Sequence, residues 1–127
     1  MSEGRGSASM NMVTVMISLL LLLFLSESAN AATYNVGGPS GWTYNTDTWP
    51  NGKKFRAGDV LVFNYDSTLH NVVAVDKVGY GSCKAPGGAK VLSSGSDQIK
   101  LARGQNYFIC SIPGHCQSGM KVLINAV

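Results

Sequence analysis

The chain opens on one continuous apolar run, residues 13–25, and beyond it no segment repeats apolar residues at helical spacing for three turns. Short stretches rich in β-branched and aromatic residues follow, each bounded by turn formers. Residues 59–65 (Asp-Val-Leu-Val-Phe-Asn-Tyr) are the clearest strand, closed by Asp66-Ser67-Thr68. Residues 70–76 predict another with His70 at its mouth, residues 105–109 a strand that delivers Cys110, and residues 120–126 a closing strand. Shorter strands are predicted at 33–36, from Phe55, at 89–92 and at 98–101, separated by Gly37-Gly38-Pro39, Pro50-Asn51-Gly52 and Ser93-Ser94-Gly95-Ser96. Residues 43–53 show no period, and the Gly/Pro-rich stretch 77–88 reads as a loop with at most one helical turn. Trp42 and Trp49 are expected to pack in or at the rim of the core. Turns about every eight to twelve residues predict an all-β sandwich or barrel.

The apolar run is too short for a bilayer span of roughly 20 residues. It leads into Ser26-Glu27-Ser28 and then Ala29-Asn30-Ala31, with small residues in an A-x-A pattern. Residues 1–31 are therefore predicted to be a secretory signal peptide cut after Ala31, with an n-region only weakly basic because Glu3 offsets Arg5. What remains, residues 32–127, is one domain, small enough that a covalent staple would help it. Of ten Lys+Arg it loses Arg5, and of seven Asp+Glu it loses Glu3 and Glu27, so its formal charge is +4. Such a charge favours weak attraction to acidic polysaccharides or acidic proteins. The basic residues form no dense run, which argues against nucleic-acid binding.

Three cysteines in a secreted chain leave one over. If Cys83 pairs with Cys116, Cys110 is free; the other reading puts Cys110 in the bridge and leaves Cys116 spare. The free thiol matters because of its company: Cys110, His115 and Met120 stand five residues apart in turn, and His70 is the one other histidine. Pro113-Gly114 and Ser118-Gly119 supply turns that can bring the later residues back towards Cys110. A thiolate, two imidazoles and a weak thioether suit copper cycling between two valences. The candidate ligands are thus His70, Cys110, His115 and Met120. Two rivals draw on overlapping residues. Zinc could be held by His70, Cys110, His115 and Cys116, but an oxidising compartment favours a bridge at Cys116. A Cys–His nucleophile would need a cleft and oxyanion donors, for which a domain this small has little room.

The motifs Tyr107-Phe-Ile-Cys110, Pro113-Gly-His115-Cys116-Gln-Ser-Gly-Met120-Lys, His70-Asn71-Val-Val, Phe55-Arg-Ala-Gly-Asp59 and Gly37-Gly-Pro-Ser-Gly-Trp42 together resemble the phytocyanins, and within them the plantacyanin (basic blue protein) branch. The resemblance covers essentially all of residues 32–127. It implies a cupredoxin-like Greek-key β-barrel or sandwich with short helical turns, and one type 1 copper per chain on His70, Cys110, His115 and Met120. It also implies a Cys83–Cys116 disulfide. Stellacyanins place glutamine where Met120 stands, and nodulin-like members often lack ligands; here all four are present. The implied activity is outer-sphere one-electron transfer by a secreted, monomeric protein of the apoplast or cell wall, not an enzyme. Asn71, beside His70, is a candidate for holding the site loops together. The implied partners are an anionic redox protein, cell-wall polysaccharide or another extracellular protein. A second implied role is extracellular signalling in reproductive tissue, with copper incidental. Up to Val127 the sequence shows no Ser/Pro-rich stalk and no hydrophobic tail, and residues 32–127 contain no N-x-Ser/Thr sequon, so neither a GPI anchor nor N-glycosylation is expected.

Overall fold

Side chains alternate across a strand, so a strand with one face in the core buries every second residue. In β2 (Val60–Asn64) this places Leu61 and Phe63 inside, and in β7 (Lys121–Ala126) Val122, Ile124 and Ala126. The computed structural model describes residues 11–19 and 30–127. The chain divides into Met1–Ala31 and Ala32–Val127. In the first unit residues 11–19 are helical, and no helix among the described residues is long and apolar enough to cross a membrane. Residues 1–10 and 20–29 of the predicted signal peptide, including Ala29 of its cleavage pattern, lie outside the described residues.

The second unit is a two-sheet β-sandwich. One sheet has the order β1 (Thr33–Asn35), β2, β5 (Ser96–Lys100), with β1 parallel to β2 and β5 antiparallel to it. The other runs β4 (Val91–Leu92), β3 (Val72–Val75), β6 (Gly104–Ile109), β7, all antiparallel. Between the sheets lie Trp42, Leu61, Phe63, Val72, Phe108, Val122 and Ile124, with Trp42 edge-on to Phe63 at 5.0 Å. Each such side chain contributes about 1.5–3 kcal/mol when fully buried. The outer face of the second sheet is covered too: Val73 and Ile109 pack with Cys116, Tyr80 and Cys83 around a short helix, Lys77–Ser82.

Several strand expectations change at their ends: the strand expected at 98–101 is Ser96–Lys100, and that at 89–92 shortens to Val91–Leu92. Phe55 forms a single bridge to Ala126 rather than a strand, because turns on both sides leave one residue free to pair. The strand expected from His70 begins at Val72. The backbone N–H groups of Leu69 and His70 both donate to the Asp66 carbonyl, and this turn holds His70 out of the ladder. Met120, likewise, stands one residue before β7. The segment after Asp76 is more ordered than a loop because Asp76 caps the helix, its carboxylate accepting from Gly79 N–H at 2.7 Å.

Register places the two ends of the sandwich. Cys110 and Met120 close one end, at the exit of β6 and the entry of β7. Val60, Lys100, Gly104, Ala126 and Phe55 meet at the other.

Candidate metal centre

The segment between β6 and β7 folds back on itself. His115 N–H donates to Ile112 O, Met120 N–H to His115 O at 3.1 Å, and Cys110 N–H to Met120 O at 3.0 Å. A 3-10 turn at Cys116–Ser118 ends on Gly119 at φ +82°, a left-handed conformation that glycine adopts without strain. A Cβ at Gly119 would also stand 3.0 Å from the Asn45 backbone. The close approach exists because Gly119 O accepts from Thr46 N–H, and Ser118 O from Asn45 N–H. The 43–47 stretch is thereby sewn to the loop.

His70, Cys110 and His115 come together: one ligating atom from each lies within 4.8 Å of the others. The two Nδ1 atoms are 3.0 Å apart, and Cys110 Sγ is 3.6 Å from His115 Nδ1. Met120 is fully buried in the same core cluster as Cys110. Cys110 is the free cysteine, because Cys83 and Cys116 form the disulfide. That bridge removes Cys116 from any zinc site and clamps the residue next to His115. Cys110 is 1% exposed, which denies a substrate the access a nucleophile needs.

Electrostatics suit a cation. Burial, reinforced by the neighbouring His115 and opposed by Asp66, holds the His70 imidazole below its ordinary value of 6.5. A neutral ring is the form that binds metal. The donor set contains no carboxylate: a thiol, two imidazole nitrogens and a thioether favour a soft or borderline ion. Nitrogens 3.0 Å apart can share an ion bound at about 2.0–2.1 Å to each. The residues fit copper.

Asn71 makes its hydrogen bonds to Ser111 and Trp42. Its side-chain N–H donates to Ser111 Oγ at 2.9 Å and its Oδ1 accepts from Ser111 N–H at 2.8 Å, while its carbonyl accepts from Trp42 Nε1. It joins the His70 turn to the residue after Cys110. Two contributors are absent from the sequence-based set. One is Ser111. The other is Tyr44, whose ring stands edge-on to both histidines (5.6 Å and 5.2 Å) and whose hydroxyl is 3.2 Å from His115 Nε2. Nothing in the aperiodic stretch around Tyr44 marks it, since its contact spans 71 positions.

The family model described as a plastocyanin-like domain matches residues 42–120, from the buried Trp42 to the last candidate ligand. The chain is 62% identical to the basic blue protein of Cucumis sativus over 96 residues, which are 76% of this chain and all of that one. It is 50% identical to the basic blue protein of Arabidopsis thaliana over the full length of both. The chain belongs to the phytocyanin family, in its basic blue protein (plantacyanin) branch. Among solved structures, the cucumber basic protein, a blue copper protein, superposes with a TM-score of 0.74 at 61% identity, covering 76% of this chain and all of that chain. The sandwich is thus the cupredoxin-like fold of the phytocyanins, and His70, Cys110, His115 and Met120 are its type 1 copper site.

Proposed function

We propose that the protein carries single electrons, taking one up and passing it on without making or breaking a bond. The observation behind this reading is the convergence of three ligating atoms within 4.8 Å in a hydrogen-bonded frame. Copper, when bound, supplies the one-electron couple. The chain's own residues do the rest. Cys110 provides a buried thiolate, His70 and His115 present Nδ1 atoms, and Met120 offers a weak thioether whose softness tunes the potential. The backbone bonds linking Cys110, His115 and Met120 resist rearrangement, which keeps the barrier to a valence change low. His115 is half-buried while His70 is 9% exposed, so the electron crosses at the His115 edge, beneath Tyr44. Residues 1–31 serve as the export signal, so that the mature chain is extracellular and begins at Ala32.

The test is reconstitution with Cu(II), followed by visible and EPR spectra and voltammetry. The wild type is expected to be intensely coloured with a reversible one-electron wave, and Cys110→Ala to fold but lose the colour. A Cys110→Ala protein that stays blue refutes the ligand assignment. A blue wild type with no reversible wave, or full biological activity in the metal-free protein, refutes the redox role and favours signalling. N-terminal sequencing of exported protein checks the cut after Ala31.

A further inference from the structure

The folded unit Ala32–Val127 carries nine cationic and five acidic side chains, and they are unevenly placed. Lys53, Lys54, Arg56, Lys100 and Arg103 all lie at the end of the sandwich opposite Cys110. Ala57 N–H donates to Val127 O and Gly58 N–H to Leu101 O, and a Cβ at Gly58 would stand 3.9 Å from Lys100 Cε. These contacts bind the stretch carrying Lys53, Lys54 and Arg56 to the end of β5, which carries Lys100, and to the β5–β6 turn, which carries Arg103. All five are exposed. Asp59, the side-chain carboxylate bonded into this stretch, is buried, and its oxygens accept from Ala32 N–H and Arg56 N–H. The remaining four cations and four side-chain carboxylates cancel, so the formal side-chain charge of +4 equals that of these five cations with Asp59.

A groove of about 460 Å³ opens at this pole, lined by Lys53, Lys54, Asn51 and Asn125 over Phe55 and Leu123. Two lysines and two asparagines lining one groove supply the donors and acceptors to take carboxylates and hydroxyls together. The large exposed apolar side chains lie mostly elsewhere: Tyr44, Leu69 and Ile112 neighbour the histidines, while among described residues Val127 is the one large apolar side chain exposed at the pole. A membrane-surface site needs an apolar face to insert, and a protein interface needs a buried anchor at its centre. The pole has neither. We propose that it binds an acidic polysaccharide, a polymer of uronate-type sugars, through Lys53, Lys54, Arg56, Lys100 and Arg103. A protein held in this way leaves its metal end facing outward.

The probe is de-esterified polygalacturonate on beads, with the fully methyl-esterified polymer and phosphatidylserine vesicles as alternatives. The copper-loaded protein is compared with K53Q/K54Q/R56Q, with K100Q/R103Q, and with K84Q/K90Q/K121Q, which lowers the net charge as much as the first variant and leaves all five cluster residues in place. The visible spectrum of each reports whether the fold and metal end are intact. The wild type is expected to bind the de-esterified polymer, to release as salt rises, and to ignore the esterified form. Each pole variant should bind about tenfold more weakly or worse, with the K84Q/K90Q/K121Q control within about twofold of wild type. Equal losses in control and pole variants would overturn the site, leaving net charge alone. Tighter binding to phosphatidylserine than to polygalacturonate would overturn the choice of ligand.

Discussion

Replacing Asn71 with alanine should loosen the copper site without touching a ligand. The substitution removes the bond from Asn71 to Ser111 Oγ (2.9 Å) and the bond it accepts from Ser111 N–H (2.8 Å), and leaves its backbone contact with Trp42 in place. Two hydrogen bonds contribute about 0.5–1.5 kcal/mol each, and a donor left unpaired costs more when it is shielded from water. Ser111 is half-buried, so part of that penalty is relieved. The expected loss is about 2–3 kcal/mol, which for a domain of this size lowers Tm by roughly 10–20 °C. Urea unfolding of the metal-free protein measures it, with the slope unchanged and the midpoint lowered. Ser111→Ala in a double-mutant cycle isolates the Oγ bond, whose coupling should be about 0.5–1.5 kcal/mol. Copper affinity should fall about tenfold, since the tie that orients the His70 turn is gone. A loss below about 0.5 kcal/mol, within the noise of surface substitutions, would falsify the claim that this side chain couples the two loops.

Other expectations follow from single contacts. Tyr44→Ala uncovers both imidazole edges and removes the His115 Nε2 contact, so a chelator should strip copper about five- to tenfold faster. Tyr44→Phe keeps the ring and should recover part of that; an unchanged rate in Tyr44→Ala refutes the covering role. Cys83→Ala/Cys116→Ala opens a 33-residue loop and should cost about 3–4 kcal/mol in denaturant unfolding, and a loss under about 1 kcal/mol would contradict the chain-entropy account. Burial first, and then the hydrogen bond to Asp97, push the Tyr65 phenol from 10.0 up to about 12. Below pH 10.0 the phenol is neutral in both folded and unfolded chains, so its contribution to stability is fully present. From 10.0 to about 12 the unfolded chain releases the proton and the folded chain keeps it, so stability falls as pH rises. Tyr65→Phe should lack that component of the alkaline fall; a slope identical to wild type would refute it.

The ligand set was legible because its chemistry is carried by rare residues. Two histidines, three cysteines and a methionine after a Ser-Gly turn leave few ways to build a soft metal site. Strands with alternating burial, such as Val60–Asn64 and Lys121–Ala126, were legible for a similar reason: period two is written directly in residue types. The choice of Cys116 over Cys110 as the partner of Cys83 was open on spacing alone. The tertiary structure decides it, because Cys116 faces the outer cluster with Cys83 whereas Cys110 faces the inner core with Met120.

What the chain order hides is whatever depends on remote segments meeting. Tyr44 reaches His115 because backbone bonds sew residues 45–47 to 118–119, and no local pattern announces them. His70 stays out of its strand because a turn at Asp66 captures its N–H. The nine cations look scattered along the sequence, yet strand register gathers five of them at one pole and leaves the rest neutralised. Local alternation and rare side chains thus settled the class of fold and the chemistry of the site from the sequence alone. The covering ring, the disulfide partner and the charge polarity belong to the tertiary structure, since each depends on distances between segments that only folding brings near.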